Sequence, residues 1–171
     1  MILRRGDRYR ELALEDFFLD YGKQDRQPGE FVRVVRIPKF TEGEHFRCYK
    51  ISKRFDSDIS AVMGAFKLRI DGPRIAGARI AYGGMAAIPK RARNAEKALI
   101  ETYLDKPKTL EEAVEALAHD FAPLDDLRAS ADYRLDAARA LLRRALTEIG
   151  GASTQTTRVV GFRETADVAS A

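Results

Sequence analysis

A cluster of charged residues lies near the middle of the chain, at the end of a segment in which polar and apolar residues alternate. Between Tyr49 and Ile59 it contains three cations and two carboxylates, which are Lys50, Lys53, Arg54, Asp56 and Asp58. Cations and backbone N–H groups at a strand end suit an electron-rich or phosphorylated ligand. A charged strand end is as often a solvated loop, so the pattern alone leaves both interpretations open.

A pair of glycines, Gly83-Gly84, follows a second alternating segment that ends at Tyr82. Glycine permits a close backbone approach or a positive φ, and either a binding site or a tight turn can require this freedom. A tight turn into the next part of the chain is the simpler interpretation, so the pair by itself does not indicate a ligand.

The other reactive residues do not form a self-contained catalytic or metal site. Cys48 is the single cysteine, and His45 and His119 are far apart, which excludes a disulfide or a multi-cysteine metal site within this chain. The sequence has no G-x-S-x-G, H-E-x-x-H, P-loop or C-x-x-C motif. Cys48 lies in a predicted strand, where we expect a buried, inert thiol. We therefore expect no catalytic residue and no metal ligand.

The composition is that of a globular protein with a substantial core. Of the 171 residues, 45% are hydrophobic and 33% charged, and the net charge is +4. Because basic and acidic residues are interspersed, we expect a salt-bridged surface rather than a nucleic-acid-binding stripe. No apolar run approaches the roughly 20 residues of a membrane-spanning helix, and the N-terminus lacks a secretory-signal pattern. We expect a cytoplasmic chain with no nucleic-acid or membrane partner.

The elements that must position these residues are strands in the first half and helices in the second. Alternation predicts strands at Ile2–Arg5, Tyr9–Ala13, Phe31–Ile37, Glu44–Lys53, Ile59–Ile70 and Ile75–Tyr82, and a short helical turn is predicted at Glu15–Tyr21. Helices are predicted at Ala92–Leu99, behind Thr109 with a capping box to Glu112, and behind Ser130 as far as Gly150. Strands joined by short turns and followed by helices indicate an α+β fold with an antiparallel meander, not a Rossmann fold.

Three separated motifs, in this order and spacing, resemble one protein family. They are CYKISKRFDSDIS, ARIAYGGMAAIPKRA and RASADYRLDAARALL, and the upstream run LEDFFLDYGKQDRQPGEFVRVVRIP fits with them. Together they resemble the flavin-binding subunit of bacterial xanthine dehydrogenases. They are also similar, less closely, to the flavoprotein subunits of aerobic carbon monoxide dehydrogenases and other molybdenum hydroxylases. The resemblance covers about Leu3 to Gly150.

This resemblance implies a fold and a division of the chain. Residues 1–38 would be the C-terminal remnant of a domain that binds flavin adenine dinucleotide (FAD). Residues 43–150 would form the family's small C-terminal domain, a three-stranded antiparallel sheet covered by C-terminal helices. Residues 151–171 would be a flexible tail outside the resemblance.

The resemblance also implies a set of cofactor-binding residues. They are Phe31, Val32, Lys50, Arg54 and Asp58. Phe31 and Val32 would touch the flavin, and Lys50, which opens the family's K-x-x-x-R pattern, would place positive charge where reduced flavin gains negative charge. The segment Ile51–Asp58 would form a loop near the isoalloxazine ring and the approach of the nicotinamide.

The chain departs from the family mainly in what it lacks. It has no glycine-rich loop for the FAD pyrophosphate, and one cysteine cannot hold an iron–sulfur cluster. Within the loop, Ser57 and Phe55 stand where some family members have an acid and an arginine. The chain thus resembles the C-terminal part of a flavin subunit, whether from a truncated gene, a split gene or a separate chain of a complex.

Two alternative functions follow from the resemblance. In the first, the chain is part of a xanthine dehydrogenase-type oxidoreductase of purine catabolism, in which electrons pass from a molybdenum centre through 2Fe–2S clusters and FAD to NAD. Its partners would be a molybdopterin-binding subunit and the iron–sulfur and FAD-binding N-terminal part, which would share the FAD. In the second, the chain is a non-catalytic assembly module that binds no flavin alone, because FAD affinity depends strongly on phosphate contacts.

The N-terminal part would pack against polypeptide that is not in this sequence. We therefore expect Phe17, Phe18 and Phe31 to expose apolar surface. Such a surface predicts self-association or a hetero-oligomer with a partner chain.

Overall fold

The computed structural model describes residues 1–54 and 59–157, and within these ranges the chain is a mixed α+β protein with antiparallel sheets, as predicted. The strands are β1 (Ile2–Arg5), β2 (Arg8–Glu11), β3 (Phe18–Asp20), β4 (Lys23–Gln24), β5 (Phe31–Val34), β6 (Glu44–Ile51), β7 (Val62–Asp71), β8 (Arg74–Gly83) and β9 (Lys90–Arg91). The helices are α1 (Arg93–Leu99), α2 (Pro107–Glu115), α3 (Leu117–Asp120) and α4 (Ala131–Ile149), and a 3₁₀ turn lies at Leu14–Asp16.

Residues 1–40, here called the N-terminal segment, form two small antiparallel sheets. One has the strand order β2-β1-β5 and begins with the predicted hairpin, and the other pairs β3 with β4. Arg10 joins distant parts of the segment by donating hydrogen bonds to Asp25 and Glu30, each at 2.8 Å. Leu3 and Phe17 are the large apolar side chains that this segment buries.

The prediction that Phe17 is exposed was wrong, because Phe17 is 4% exposed and packs edge-to-face on Phe18, with ring centroids 5.1 Å apart. The predicted helical turn over Glu15–Tyr21 is also shorter than expected. The backbone is extended from Phe18, because the Asp25 N–H donates to the Phe17 carbonyl at 2.8 Å and ties the two ends of the β3–β4 hairpin together.

Residues 44–149, here called the C-terminal unit, form an antiparallel sheet of order β6-β7-β8-β9 with helices packed on one face. The three long strands are the predicted meander. The sheet also has a fourth strand, β9, which is only two residues long and therefore shows no alternation in the sequence. Arg91 holds β9 in place through two hydrogen bonds to the buried Glu96, at 2.9 and 2.6 Å.

Alternation along the long strands gives the sheet two different faces. The covered face carries Val62, Phe66, Leu68, Ile80 and Tyr82, which pack with apolar residues of all four helices. Phe66 is the centre of this core, with ring centroids 5.9 Å from Tyr49 and 5.5 Å from Tyr82. The opposite face, here called the open face, is not covered by the described helices.

The open face is lined by the alternate residues of the same three strands. Its residues are Phe46, Cys48, Lys50, Met63, Ala65, Lys67, Arg79, Ala81 and Gly83. The expectation of a buried Cys48 was wrong, because the thiol lies on this face and is exposed, whereas its neighbour Tyr49 points to the covered face.

The starts of α4 and α2 illustrate one correct and one wrong prediction. Ser130 caps α4 by accepting a hydrogen bond from the Tyr133 N–H at 3.2 Å, as expected. The capping box at Thr109 was wrong, because α2 already begins at Pro107, whose fixed φ suits the first helical position. Thr109 instead donates from its hydroxyl to the Lys106 carbonyl at 2.9 Å.

Helix α1 is capped by a residue from a different helix. The carboxylate of Asp120, at the end of α3, accepts hydrogen bonds from the backbone N–H groups of Asn94 and Ala95 at 2.9 and 3.0 Å. These N–H groups have no intrahelical acceptor, so Asp120 satisfies donors that would otherwise be lost in the interior. The first turn of α1 is thereby tied to the end of α3.

Candidate functional site

A row of three residues crosses the end of the open face. Lys50 of β6 lies opposite Met63 of β7, and Met63 lies opposite Gly83 of β8. Lys50 is exposed, and Met63 is 41% exposed. This end row, defined by Lys50, Met63 and Gly83, brings together the two motifs that the sequence singled out separately, the charged run and the glycine pair.

The other predicted cofactor residues lie in different places. Arg54 is exposed, four residues beyond Lys50, and Asp58 lies outside the described residues. Phe31 and Val32 belong to β5 of the N-terminal segment and are 51% and 39% exposed. Because successive side chains of a strand point to opposite faces, these two present apolar surface on both sides of β5. The flavin contacts of all five residues stay a prediction.

A buried arginine joins two backbone positions beside the end row, Ala61 just before β7 and Gly84 just after β8. At the first of these positions, the Ala61 N–H donates to the Ile51 carbonyl at 2.8 Å. Arg134 of α4 is 4% exposed, and its Nη1 donates to the carbonyls of Ala61 and Gly84 at 2.5 and 2.8 Å. One guanidinium therefore fixes the backbone on both sides of the end row.

The backbone conformation at Gly84 explains why a glycine stands there. Its φ is +80°, and a Cβ at this position would lie 2.3 Å from the carbonyl oxygen of Ala61. Real Cβ atoms do not approach backbone this closely, so glycine is needed for both the positive φ and the close approach. The two carbonyls that Arg134 binds can meet only because position 84 has no side chain.

The second Nη of Arg134 is paired with a carboxylate. Its Nη2 donates to Asp126 at 2.6 Å. Asp126 also accepts hydrogen bonds from the backbone N–H groups of Arg128 and Ala129, and these, with Arg134, lower the pKa of Asp126 to about 2. Asp126 is therefore ionised at neutral pH and neutralises the buried guanidinium. We call Ala61, Gly84, Asp126 and Arg134 the Arg134 cluster.

A second charged cluster lies on the covered side of β6. Glu148, in the last turn of α4, accepts hydrogen bonds from Tyr49 at 2.8 Å, Arg144 at 2.8 Å and Arg47 at 3.1 Å. Burial by itself would raise the pKa of Glu148, but hydrogen bonds from Thr157, Arg144 and Tyr49 outweigh it and lower the pKa to about 2. Burial and the same carboxylate raise the pKa of Tyr49 above its usual value.

Sequence reasoning did not single out Arg134 or Glu148. Both are buried residues of α4, and they lie at the two ends of a helically spaced row that also contains Ala138, Leu141 and Ala145. A charged residue at an apolar position of an amphipathic helix is a signal of a buried, paired charge, and this signal was available in the sequence. The partners of these two residues on other elements could not be identified from the sequence.

None of the described helices is long and apolar enough to cross a membrane. No group of histidine, cysteine, aspartate and glutamate side chains within residues 1–54 and 59–157 could hold a metal ion.

The family model of the CO dehydrogenase flavoprotein C-terminal domain matches residues 47–149. This range contains the second part of β6, β7 to β9, all four helices, Lys50 and the Arg134 cluster. The chain belongs to this family.

Named relatives agree with this assignment. The chain is 34% identical to the carbon monoxide dehydrogenase medium chain of Afipia carboxidovorans over 137 residues, which cover 80% of this chain and 47% of that relative. It is 30% identical to the xanthine dehydrogenase FAD-binding subunit of Escherichia coli O157:H7 over 146 residues, covering 84% and 49% of the two chains. The chain spans about half the length of these relatives.

A solved structure shows the same fold. A chain of the reconstituted CO dehydrogenase from Oligotropha carboxidovorans superposes with a TM-score of 0.80 at 29% identity. The superposition covers 89% of this chain and 52% of that chain. Because it covers most of this chain, the likeness extends beyond the C-terminal unit into the N-terminal segment.

Proposed function

We propose that this chain is the C-terminal part of the FAD subunit of a xanthine dehydrogenase-type molybdenum hydroxylase, where it supplies one wall of the flavin site. The observation that carries the proposal is the end row, in which the exposed Lys50 lies beside Met63 and Gly83 on the open face of a family member's sheet. The small residues Ala65 and Ala81 lie next to this row. A surface of small and apolar side chains with the cation of Lys50 in its end row fits a planar ring that gains negative charge.

A bound FAD would accept electrons from iron–sulfur clusters of partner chains and pass a hydride to NAD. The role of this chain would be to bind and polarise the ring system. Lys50 would place a positive charge where negative charge develops on reduction, which favours the reduced state. In the same proposal Phe31 and Val32 pack against the ring, and Arg54 and Asp58 lie near the approach of the nicotinamide.

In this proposal, the chain has residues suited to contact the ring system of FAD but no residues suited to bind its pyrophosphate. Its sequence has no glycine-rich phosphate loop, and backbone N–H groups of such loops supply much of the affinity for a dinucleotide. We propose that the phosphate site comes from polypeptide corresponding to the other half of the relatives. A molybdopterin-binding subunit and iron–sulfur domains would complete the complex, in the cytoplasm.

A non-catalytic assembly module is the second candidate, and the exposure of the first third of the chain favours it. Large apolar side chains are exposed here at Tyr9, Leu14, Leu19, Tyr21, Phe31, Val32, Val35, Ile37, Phe40 and Phe46. A concentration of exposed apolar residues marks a surface that another polypeptide covers. On this alternative the chain completes a complex but binds no flavin by itself.

An absorbance spectrum separates the two candidates. The chain purified alone and the complex isolated from its native source are both scanned for the band of oxidised flavin, which lies at about 450 nm. A band in the complex supports the flavin function, and a complex that contains this chain but no flavin would leave only the assembly role.

Lys50→Ala then tests the site itself within the flavin-containing complex. We expect the substitution to lower flavin occupancy or to lower the reduction potential of the flavin, because the cation beside the ring is lost. The matched control is Lys97→Ala, which removes an exposed lysine from α1. Unchanged flavin content together with an unchanged rate of NAD reduction would remove Lys50 from the site.

A further inference from the structure

We infer that Arg134 is a positioning residue for the end row, because its guanidinium holds the backbone on both sides of Lys50, Met63 and Gly83. The hydrogen bonds of the Arg134 cluster are a property of this chain alone. The consequence for a flavin rests on the function proposed above.

Arg134 is buried, so its guanidinium interacts with protein groups rather than with water. A guanidinium that is 4% exposed loses most of its hydration, and this cost must be offset by hydrogen bonds and an opposite charge. Nη1 and Nη2 have acceptors in Ala61, Gly84 and Asp126. Two of these acceptors are backbone carbonyls of different chain segments, so the arginine fixes main-chain positions rather than the orientation of one side chain.

The positions that Arg134 fixes are adjacent to the end row. Ala61 is hydrogen-bonded to Ile51, the residue after Lys50, and Gly84 directly follows Gly83. The same two positions lie so close together that a Cβ on Gly84 would collide with the Ala61 carbonyl. A shift of either segment would therefore move one end of the row relative to the other.

Such a shift matters for a group that acts by position. The interaction of a cation with a ring that gains charge depends on their separation, and misplacement by about 1 Å is enough to change a reaction rate strongly. Arg134 lies on the covered side of the sheet, in α4, and Lys50 lies on the open face. Arg134 would therefore act on a flavin only through the backbone, as a positioning residue and not a catalytic one.

Hydrogen–deuterium exchange of the purified full chain tests the positioning role directly. In Arg134→Gln we expect the amides of residues 59–63 and 83–88 to exchange at least about tenfold faster than in the wild type, because local opening is no longer opposed by the guanidinium. Amides in the middle of β7 and in α2 should keep their wild-type rates. Arg134→Lys keeps the positive charge but not the planar guanidinium, and it should give a smaller increase in these exchange rates.

Gly84→Ala breaks the same cluster from the other side and keeps the test decisive if Arg134→Gln fails to fold. Its matched control is Gly72→Ala, since Gly72 also has a positive φ, of +58°, but no atom within 4 Å of an added Cβ. Arg143→Gln is the matched arginine control, because Arg143 pairs with Glu111 on the exposed side of α4. Both controls should leave residues 59–63 and 83–88 at wild-type exchange rates.

Two exchange results would overturn the inference. One is an equal acceleration throughout the C-terminal unit, which would mean that Arg134 stabilises the fold as a whole. The other is no difference between the cluster variants and their controls.

The flavin-containing complex provides the second measurement. With Arg134→Lys we expect a shifted flavin reduction potential or lower flavin occupancy, and with Arg143→Gln neither change. An unchanged flavin in Arg134→Lys would overturn the positioning role and leave the proposed function intact. A wild-type complex without flavin would instead refute the proposed function, and the exchange experiment would still decide whether Arg134 holds the end row.

Discussion

The N-terminal segment and the C-terminal unit are held together by different forces. The N-terminal segment depends on short two- and three-stranded sheets and on the part-buried ion pairs of Arg10 with Asp25 and Glu30. Because the Arg10 side chain is still 32% exposed, water screens these pairs, and they stabilise the segment less than an apolar core would. The C-terminal unit has one continuous apolar core between its sheet and its helices. The C-terminal unit thus has what an independent fold requires, whereas the N-terminal segment leaves apolar side chains exposed, and we predict that another polypeptide surface covers them.

The described contacts between the two parts include a polar one at Glu15 and a stacked ring pair, Phe40 on Phe46, with ring centroids 5.6 Å apart. Glu15 of the N-terminal segment lies 3.2 Å from Arg91 and 3.7 Å from Arg93 of the C-terminal unit. The hydrogen bond from Arg91 is the main reason that the pKa of Glu15 is lowered. A polar contact of this kind orients the segment without making it part of the apolar core.

The largest effect is expected from Phe66→Ala, which removes the ring at the centre of the C-terminal unit. Loss of a buried phenylalanine and the cavity left behind should lower the free energy of unfolding by about 3–5 kcal/mol. Urea unfolding followed by circular dichroism measures it. The matched control is Phe46→Ala on the open face, where the ring is 43% exposed, and it should change the unfolding free energy by far less. Equal effects would contradict the division into a covered and an open face.

A medium effect is expected from Glu148→Gln, which weakens four hydrogen bonds from charged or hydroxyl donors beneath β6. We expect a loss of about 1–3 kcal/mol in the free energy of unfolding at pH 7. Glu115→Gln, which disturbs surface pairs with Arg139 and Arg143, is the control and should have almost no effect. If the two variants were equally stable, Glu148 would not support the fold.

The same residue predicts a pH dependence with a definite sign. The folded-state pKa of Glu148 is about 2, below its ordinary value of 4.5. A lowered pKa stabilises the fold fully above the unfolded value, and this stabilisation is lost as the pH falls from about 5 towards 2. The stability difference between the wild type and Glu148→Gln should therefore shrink between pH 7 and pH 3. A difference that stays constant over this range would contradict the assignment.

The smallest change in folding stability is expected in the N-terminal segment. Phe31→Ser combined with Ile37→Ser removes apolar side chains that are 51% and 83% exposed, so the unfolding midpoint should hardly change. Self-association and the binding of a hydrophobic dye should both decrease. Sedimentation velocity and dye fluorescence measure these quantities. A wild-type chain that is a stable monomer and binds no dye would contradict the covering surface.

The sequence predicted those parts of the fold that depend on local patterns. Alternation located β6 and β8 within a few residues, and the serine at position 130 marked the start of α4. The start of α2 was predicted wrongly, because Thr109 and Glu112 have capping-box spacing although the helix already begins at Pro107. A two-residue strand such as β9 is too short to carry any pattern.

The candidate site was predictable only in part. The charged run and the glycine pair were visible, but their meeting in the end row depends on strand register, which pairs Met63 with both Lys50 and Gly83. Arg134 and Glu148 bind acceptors and donors that are distant along the chain. Local periodicity holds no information about such partners.

The cap that Asp120 provides has a consequence for the order of folding. Helix α1 has seven residues, and isolated helices of fewer than about 12 residues are barely stable in water. Its first N–H groups find their acceptor 26 residues further along the chain. On a ribosome, α1 would emerge before its cap has been synthesised, so the nascent chain should acquire this helix only after α3 has left the exit tunnel.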